Sequence, residues 1–132
     1  MEIDVAGLRG DAKGLAVHFM RAANCPVCVR HVKALAGLGL AARGVAAAVV
    51  VPGGPAEVER VRRVAGVAPN VSVVSSDGAA AHRAAGLDRT LLLQHSATLL
   101  FDADGQERYR RAATLPTGSF DAADLLAAVD RL

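Results

Sequence analysis

The stretch HFMRAANCPVCVRHV, residues 18–32, holds both cysteines of the chain, three positions apart. It overlaps the end of an apolar run of strand length, residues 14–20, and leads into apolar residues that recur at helical spacing. Asn24 is placed to cap this helix, and Pro26 suits its first turn. The pattern therefore predicts a strand, a turn and a helix, with Cys25 where the helix begins.

Alternating strand and helix patterns continue to the end of the chain. The helix after Pro26 is expected to end near Leu40, where glycines interrupt the pattern. The later predicted elements are a buried strand at 45–52, an amphipathic helix at 56–66, a strand at 71–78, a short helix at 79–87, a hairpin of 97–101 and 107–112, and a final helix capped by Asp121. Residues 87–96 are expected to be a connector.

This order predicts an α/β fold with a mixed central sheet, helices on both faces, a closing β-hairpin and a C-terminal helix. Right-handed crossovers would place the strand before CPVC in the interior of the sheet. The length of 132 residues, without an internal repeat or a linker, fits a single domain over 1–132. With 52% hydrophobic residues, disorder is not expected.

Charge and hydropathy exclude several kinds of partner. The net charge is +2, and two arginine clusters, at 60–63 and 108–111, are accompanied by almost no aromatic residues, so solvated faces are favoured over nucleic-acid binding. The N-terminus shows no secretory signal pattern, and the apolar run 45–51 is too short to cross a bilayer. We expect a cytoplasmic protein without a membrane partner, in which two cysteines either cycle as a dithiol or are inert.

The cysteine spacing leaves three interpretations. At a helix N-terminus the thiolate of Cys25 is favoured, and Cys28, one turn further and more buried, can resolve a disulfide or sulfenic acid formed on Cys25. Alternatively, the two cysteines are small buried hydrophobes that lie close by chance. A metal site using Cys25, Cys28 and His31, with His18 or His95, is the third interpretation, but no second close pair of ligands is present. We favour a redox dithiol and expect no metal, and we expect no site role for His82.

The phrase FMRAANCPVCVRHVKAL, residues 19–35, resembles the thioredoxin-fold superfamily and, more closely, its peroxiredoxin-like branch of alkyl hydroperoxide reductase and thiol-specific antioxidant redoxins. Arg21, Cys25, Pro26 and Cys28 match the pattern of an Arg four residues before the first Cys, then CPxC. The phrases VVVPGGPAEVERV, VSSDGAAAHRAAGL and SATLLFDADGQERYR resemble later family segments in the same order.

The resemblance implies a thiol-disulfide oxidoreductase without a cofactor, recharged by a thioredoxin- or glutathione-type thiol donor and acting on a disulfide or a peroxide. Cys25 would be the nucleophile, Cys28 the resolving thiol and Arg21 an electrostatic helper. Pro26, Ser96 and Ala97 would contact the substrate. A homodimer is compatible with this sequence.

The sequence departs from the family at four of its functional positions, one of which is Phe19, where thioredoxins carry a buried acid. Ala22 stands where the peroxidases carry Thr or Ser, and Ser96 stands where they carry a second arginine. Ala97 occupies the position of the thioredoxin cis-proline. A peroxide-reducing peroxiredoxin and a non-catalytic redox-sensing or metal-binding module on the same fold are the alternatives.

Overall fold

The structure is a computed structural model that describes residues 2–67 and 70–132. The strands are β1 Gly14–Phe19, β2 Val45–Val51, β3 Val71–Ser75, β4 Arg89–Thr90, β5 Leu93–Gln94, β6 Ser96–Asp102 and β7 Glu107–Ala113. The helices are α1 Val5–Arg9, α2 Pro26–Ala36, α3 Pro55–Ala65, α4 Ala80–Ala84 and α5 Ala122–Asp130, with short 3₁₀ helices at Leu40–Arg43 and Pro116–Gly118.

Five strands form one mixed sheet in the order β3-β2-β1-β6-β7. β1, β2 and β3 are parallel, whereas β6 is antiparallel to β1 and to β7. The predicted hairpin is therefore confirmed, and β1, the strand that leads to CPVC, lies in the interior as predicted. The ends of β1–β3 and the start of β6 meet at one edge of the sheet, which we call the carboxyl edge.

Helices cover both faces of this sheet. On one face, apolar side chains of α2, α3 and α5 pack with alternate strand residues such as Ala16 and Val49. On the other face, α1 and α4 pack over Leu15, Val17 and Phe19. This division follows from the strand period of two, which sends neighbouring side chains to opposite faces. The predicted fold class is confirmed.

Several helix boundaries differ from the sequence prediction. α2 ends at Ala36, before the expected end near Leu40, because the Gly37 N–H bonds the carbonyls of Lys33 and Ala34 and the chain then enters the left-handed region at Gly39, with φ of 72°. Asp121 caps α5 as predicted, since its carboxylate accepts a hydrogen bond from Asp124 N at 2.9 Å.

Two small features were not predicted. α1 has five residues and none is buried, so it leaves no periodic pattern in the sequence. The expected connector at 87–96 contains a separate hairpin of two-residue strands, β4 and β5. In the described ranges, no helix combines the length and apolar character needed to cross a membrane.

Candidate active site

Cys25 occupies the carboxyl edge, where the chain leaves β1 and starts α2. It is the N-cap of α2: its backbone is extended, and its Sγ accepts a hydrogen bond from Cys28 N at 3.4 Å. Pro26 follows at the first helical position, where a missing N–H is harmless. The expectation that Asn24 caps the helix is therefore wrong. The helix begins at Pro26, so Cys25 is the residue directly before it. The Cys25 side chain is therefore the one that accepts from the free N–H of Cys28 in the first turn.

Both thiols lie below the surface and are free. Cys25 is 3% exposed and Cys28 is fully buried, and the closest approach of the two residues is 2.9 Å. The neighbours Asn24 and Pro26 are both exposed, so Cys25 lies directly beneath the molecular surface.

The surroundings of Cys25 favour its thiolate. Burial alone would raise the pKa of the Cys25 thiol, but hydrogen bonds from the thiol and backbone N–H of Cys28 oppose it. The Arg21 guanidinium adds a hydrogen bond and a positive charge, and together these groups bring the pKa of Cys25 below its usual value. Arg21 thus lies beside the sulfur that it was expected to influence.

The pKa of Cys28 shifts in the opposite direction from that of Cys25. Burial, followed by its hydrogen bond to the Cys25 sulfur, raises the pKa of Cys28 to about 11. The backbone N–H groups of Arg21 and Ala22 also face this sulfur and favour its ionised form, but they do not outweigh burial. Of the two thiols, Cys25 is therefore the one that ionises first, and Cys28 keeps its proton near neutral pH.

The start of β6 lies next to the end of β1. Ala97 pairs with Phe19, and Ser96 and Ala97 are both buried. Ala97 faces the α1 and α4 side of the sheet, so Ser96 points to the side that α2 covers. The Ser96 hydroxyl has no hydrogen-bond partner among the described residues, and the peptide bonds described are all trans. A buried hydroxyl without a partner is thus present beside the dithiol face.

His82 makes a contact with this edge that the sequence did not reveal. Its Nε2 donates to the carbonyl of Met20 at 2.8 Å, and its Nδ1 accepts from Ser76 Oγ at 2.8 Å. The carbonyl can only accept, which fixes the tautomer. Burial lowers the pKa of His82, although the Met20 hydrogen bond opposes this effect. α4 is therefore tied to the residue that precedes Arg21.

A second buried histidine lies on the α2 side of β1. Thr98 donates its hydroxyl hydrogen to the carbonyl of Ser119 at 2.7 Å, so it can only accept from His18 Nδ1 at 3.0 Å. The Nε2 atom of His18 is left without a partner among the described residues. Burial, and then the neighbouring His31 and His82, lower the pKa of His18 to about 3. His18 is therefore neutral at physiological pH.

His31 does not join a metal site with the cysteines. Its ring lies edge-on to His18 with centroids 5.3 Å apart and stacks on Phe120. His95 lies beside Thr90 instead, at 2.6 Å from Nε2 to Oγ1. Within residues 2–67 and 70–132, no three His, Cys, Asp or Glu side chains are grouped closely enough to hold a metal ion.

The fold is shared with many known structures. No protein-family model and no curated protein sequence matches this chain, whereas 122 chains of solved structures do. A peroxiredoxin-like protein from Aquifex aeolicus has a TM-score of 0.77 at 18% identity, over 92% of this chain and 72% of that one. Peroxiredoxin Q of Xanthomonas campestris has a TM-score of 0.76 at 20% identity, over 94% of this chain and 82% of that one.

A third similar structure is a secreted Mycobacterium tuberculosis disulfide oxidoreductase homologous to E. coli DsbE, with a TM-score of 0.64 at 18% identity, over 96% of this chain and 86% of that one. These similarities establish the thioredoxin-like fold that the sequence predicted. At such identities they define the fold, and the chemistry has to be argued from the residues of this chain.

Proposed function

We propose that this protein is a thiol-disulfide oxidoreductase in which Cys25 is the nucleophile and Cys28 the resolving thiol. The observation that carries the proposal is the opposed shift of the two thiols: the pKa of Cys25 is lowered, and that of Cys28 is raised to about 11. In a pair of adjacent thiols with separated pKa values, the thiol with the lower pKa forms the thiolate that attacks a disulfide. The other thiol stays protonated until the second exchange. The geometry supports the same assignment, since the Cys25 sulfur caps α2 and accepts a hydrogen bond from Cys28 N at 3.4 Å.

The reaction would run in two exchanges. The Cys25 thiolate attacks one sulfur of a disulfide RS–SR′, which forms Cys25–S–S–R and releases R′S⁻, the latter taking a proton from water. Cys28 then loses its proton to solvent and attacks Cys25 Sγ, which closes the internal disulfide and releases RS⁻. The substrate gains two electrons and two protons, and a thioredoxin- or glutathione-type dithiol or thiol pair restores the reduced protein.

The remaining site residues would support these exchanges. Arg21 is proposed to hold the Cys25 thiolate, and Pro26, exposed beside Cys25, to meet the substrate. Ser96 and Ala97 are proposed to bound the substrate site from the start of β6, where both lie beneath the surface and the Ser96 hydroxyl is without a partner among the described residues. A single domain, a cytoplasmic location and a homodimer remain predictions.

Alkylation with iodoacetamide at neutral pH, followed by peptide mapping, tests this assignment. We expect Cys25 to react faster than a model thiol and Cys28 to react more slowly. A Cys28→Ser variant should accumulate a mixed disulfide on Cys25 when offered an excess of oxidised glutathione, whereas Cys25→Ser should form none. If Cys25 in the folded protein reacts no faster than free cysteine, the proposal fails.

Peroxide reduction is the second candidate, and the peroxiredoxin-like fold favours it. In that reaction, the Cys25 thiolate would attack ROOH to give a sulfenic acid and ROH, and Cys28 would then displace water to close the disulfide. Ala22 offers no hydroxyl to hold the peroxide. Stopped-flow mixing with hydrogen peroxide tests the candidate, and oxidation as slow as that of free cysteine would eliminate it.

A further inference from the structure

Three leucines that the proposed chemistry does not use are exposed at the carboxyl edge. Leu91 and Leu92 form the tip of the β4–β5 hairpin and are 93% and 86% exposed, and Leu115 is 60% exposed. We call these three residues the leucine surface. Among the described residues, the other exposed large hydrophobic side chains are those of Val64 and Leu132. Most of this exposed apolar area is thus gathered in one part of the fold.

The leucine surface lies at the same edge as Cys25. The hairpin leads directly into Ser96, at the start of β6, and Leu115 follows the end of β7, where Ala113 pairs with Ser96. The His95 ring joins the two segments, with Nε2 2.6 Å from Thr90 Oγ1 and 3.5 Å from Thr114 Oγ1. The 3₁₀ helix Pro116–Gly118 continues from Leu115 and packs against α2, the helix that Cys25 caps.

The stability of the fold does not account for these leucines. Leu91 has a φ of 56°, in the left-handed region, where a side chain other than Gly or Asn costs on the order of 1 kcal/mol or more. The side chain held there gains almost no burial. The base of the hairpin is nevertheless well anchored, since Gln94 Nε2 donates to the carbonyl oxygens of Leu87 and Asp88 at 2.9 and 3.1 Å. The tip is therefore presented on a fixed base.

We propose that the leucine surface docks the protein that exchanges a disulfide with Cys25, and that this partner carries an apolar surface around its own cysteine. The inference rests on the proposed function. Because sulfur exchange requires contact with Cys25, a protein partner must cover the carboxyl edge and so bury leucines that lie there. A small thiol such as glutathione would reach the sulfur without doing so.

The size of the surface favours a transient partner over a stable second copy of this chain. A stable interface buries about 800 Å² on each side, whereas short-lived redox encounters are at the small end of the range. Three leucine side chains are too few to supply the larger area. They suit a complex that must dissociate after each exchange.

The test compares a protein disulfide with a small one. Wild-type protein and the double variant Leu91→Asn, Leu92→Ser are assayed for reduction of insulin and of bis(2-hydroxyethyl) disulfide, with dithiothreitol as the final reductant. Asn tolerates the left-handed backbone at position 91, so the hairpin should keep its conformation. We expect kcat/KM for insulin to fall about tenfold or more and that for the small disulfide to stay within about twofold.

Val64→Ser is the matched control, because Val64 is also an apolar residue and is 47% exposed. It lies near the C-terminal end of α3, at the edge of the sheet opposite the carboxyl edge. This variant should keep both rates. Equal rates for the double variant and wild type on insulin would overturn the docking inference, as would a loss that affects both substrates equally.

Two further outcomes keep the inference separate from the proposed function. A wild-type protein that reduces the small disulfide but not insulin retains the function and loses the docking inference. A wild-type protein that reduces neither loses both.

Sedimentation tests whether the surface joins two copies of this chain instead. A wild-type dimer that becomes a monomer in the double variant, with insulin reduction unchanged, would make the surface a self-association site and overturn the inference.

Discussion

The Nε2 atom of His82 donates a hydrogen bond to the carbonyl of Met20 at 2.8 Å, joining α4 to the last residue before Arg21. Both residues are fully buried, and the second ring nitrogen is occupied by Ser76 Oγ. The loop that carries Arg21 and leads to Cys25 is therefore fixed from the side of the sheet opposite α2. Leucine at position 82 would leave the buried Met20 carbonyl without this donor and the Ser76 hydroxyl hydrogen without its acceptor, while the backbone N–H of residue 82 would still donate to Ser76 Oγ.

We therefore expect His82→Leu to lower the free energy of unfolding by about 1–3 kcal/mol, measured by urea denaturation of the reduced protein. Arg83→Leu, at an exposed position of the same helix, is the control and should change stability by no more than about 0.5 kcal/mol. Equal effects of the two substitutions would contradict the importance of the hydrogen bond to Met20.

Arg21→Gln should move the pH profile of Cys25 alkylation to higher pH. The substitution removes a positive charge and a hydrogen bond that favour the thiolate, while the contacts from Cys28 remain. The measurement is the rate of iodoacetamide labelling of Cys25 between pH 5 and pH 9. Arg30→Gln, which removes the same charge from an exposed position of α2, should leave the profile in place. An unchanged profile for Arg21→Gln would remove Arg21 from the site.

The N-cap position of Cys25 predicts a difference between two inactive variants. Serine at position 25 keeps an oxygen that accepts from Cys28 N, whereas alanine leaves that N–H without its cap. Cys25→Ala should therefore be less stable than Cys25→Ser by about 1 kcal/mol in urea denaturation under reducing conditions. Neither variant should exchange disulfides. Equal stabilities would indicate that the sulfur contact with Cys28 N does not stabilise α2.

The buried His18 predicts a loss of stability in acid. Its pKa is about 3 in the folded protein and close to 6.5 when unfolded, so the unfolded chain binds more protons between these values. Stability is then fully present above pH 6.5 and decreases as the pH falls toward 3. From pH 7 to pH 5, this one group should cost on the order of 2 kcal/mol.

Denaturation at several pH values, with His18→Leu as the comparison, measures this effect. The variant should lose less stability than wild type between pH 7 and pH 5, and the remaining slope should come from the other buried histidines, His82 and His31, whose pKa values burial also lowers. Identical slopes for His18→Leu and wild type would show that His18 is not buried as a neutral group.

The hydrophobic pattern was sufficient to predict the main strands, the order of the helices and the interior position of β1. It was insufficient where an element is very short, as in α1 and in the β4–β5 hairpin, because five or two residues do not complete a periodic pattern. The end of α2 was misplaced for a related reason. Several glycines follow one another there, and only the backbone conformation shows that Gly37 is the one that ends the helix.

In the candidate site, the sequence grouped Arg21, Cys25 and Cys28 because they lie within one turn and one helix start, where spacing along the chain sets spacing in space, and the structure places the three together. The cap was misassigned to Asn24, since both residues precede the same helix. The contact of His82 with Met20 gave no signal in the sequence, because it joins residues 62 positions apart through the packing of α4 on the sheet.

The sequence by itself determined the α/β order and placed a dithiol at a helix start, because both depend on local periodicity and on short spacings. The tertiary structure decided what surrounds that dithiol. Long-range packing buries Cys28 and joins Met20 to His82 by a hydrogen bond. It also leaves the Ser96 hydroxyl buried beside the site without a partner among the described residues, and it places the leucine surface at the same edge. These features depend on burial and on contacts between distant segments, which form only when the chain folds.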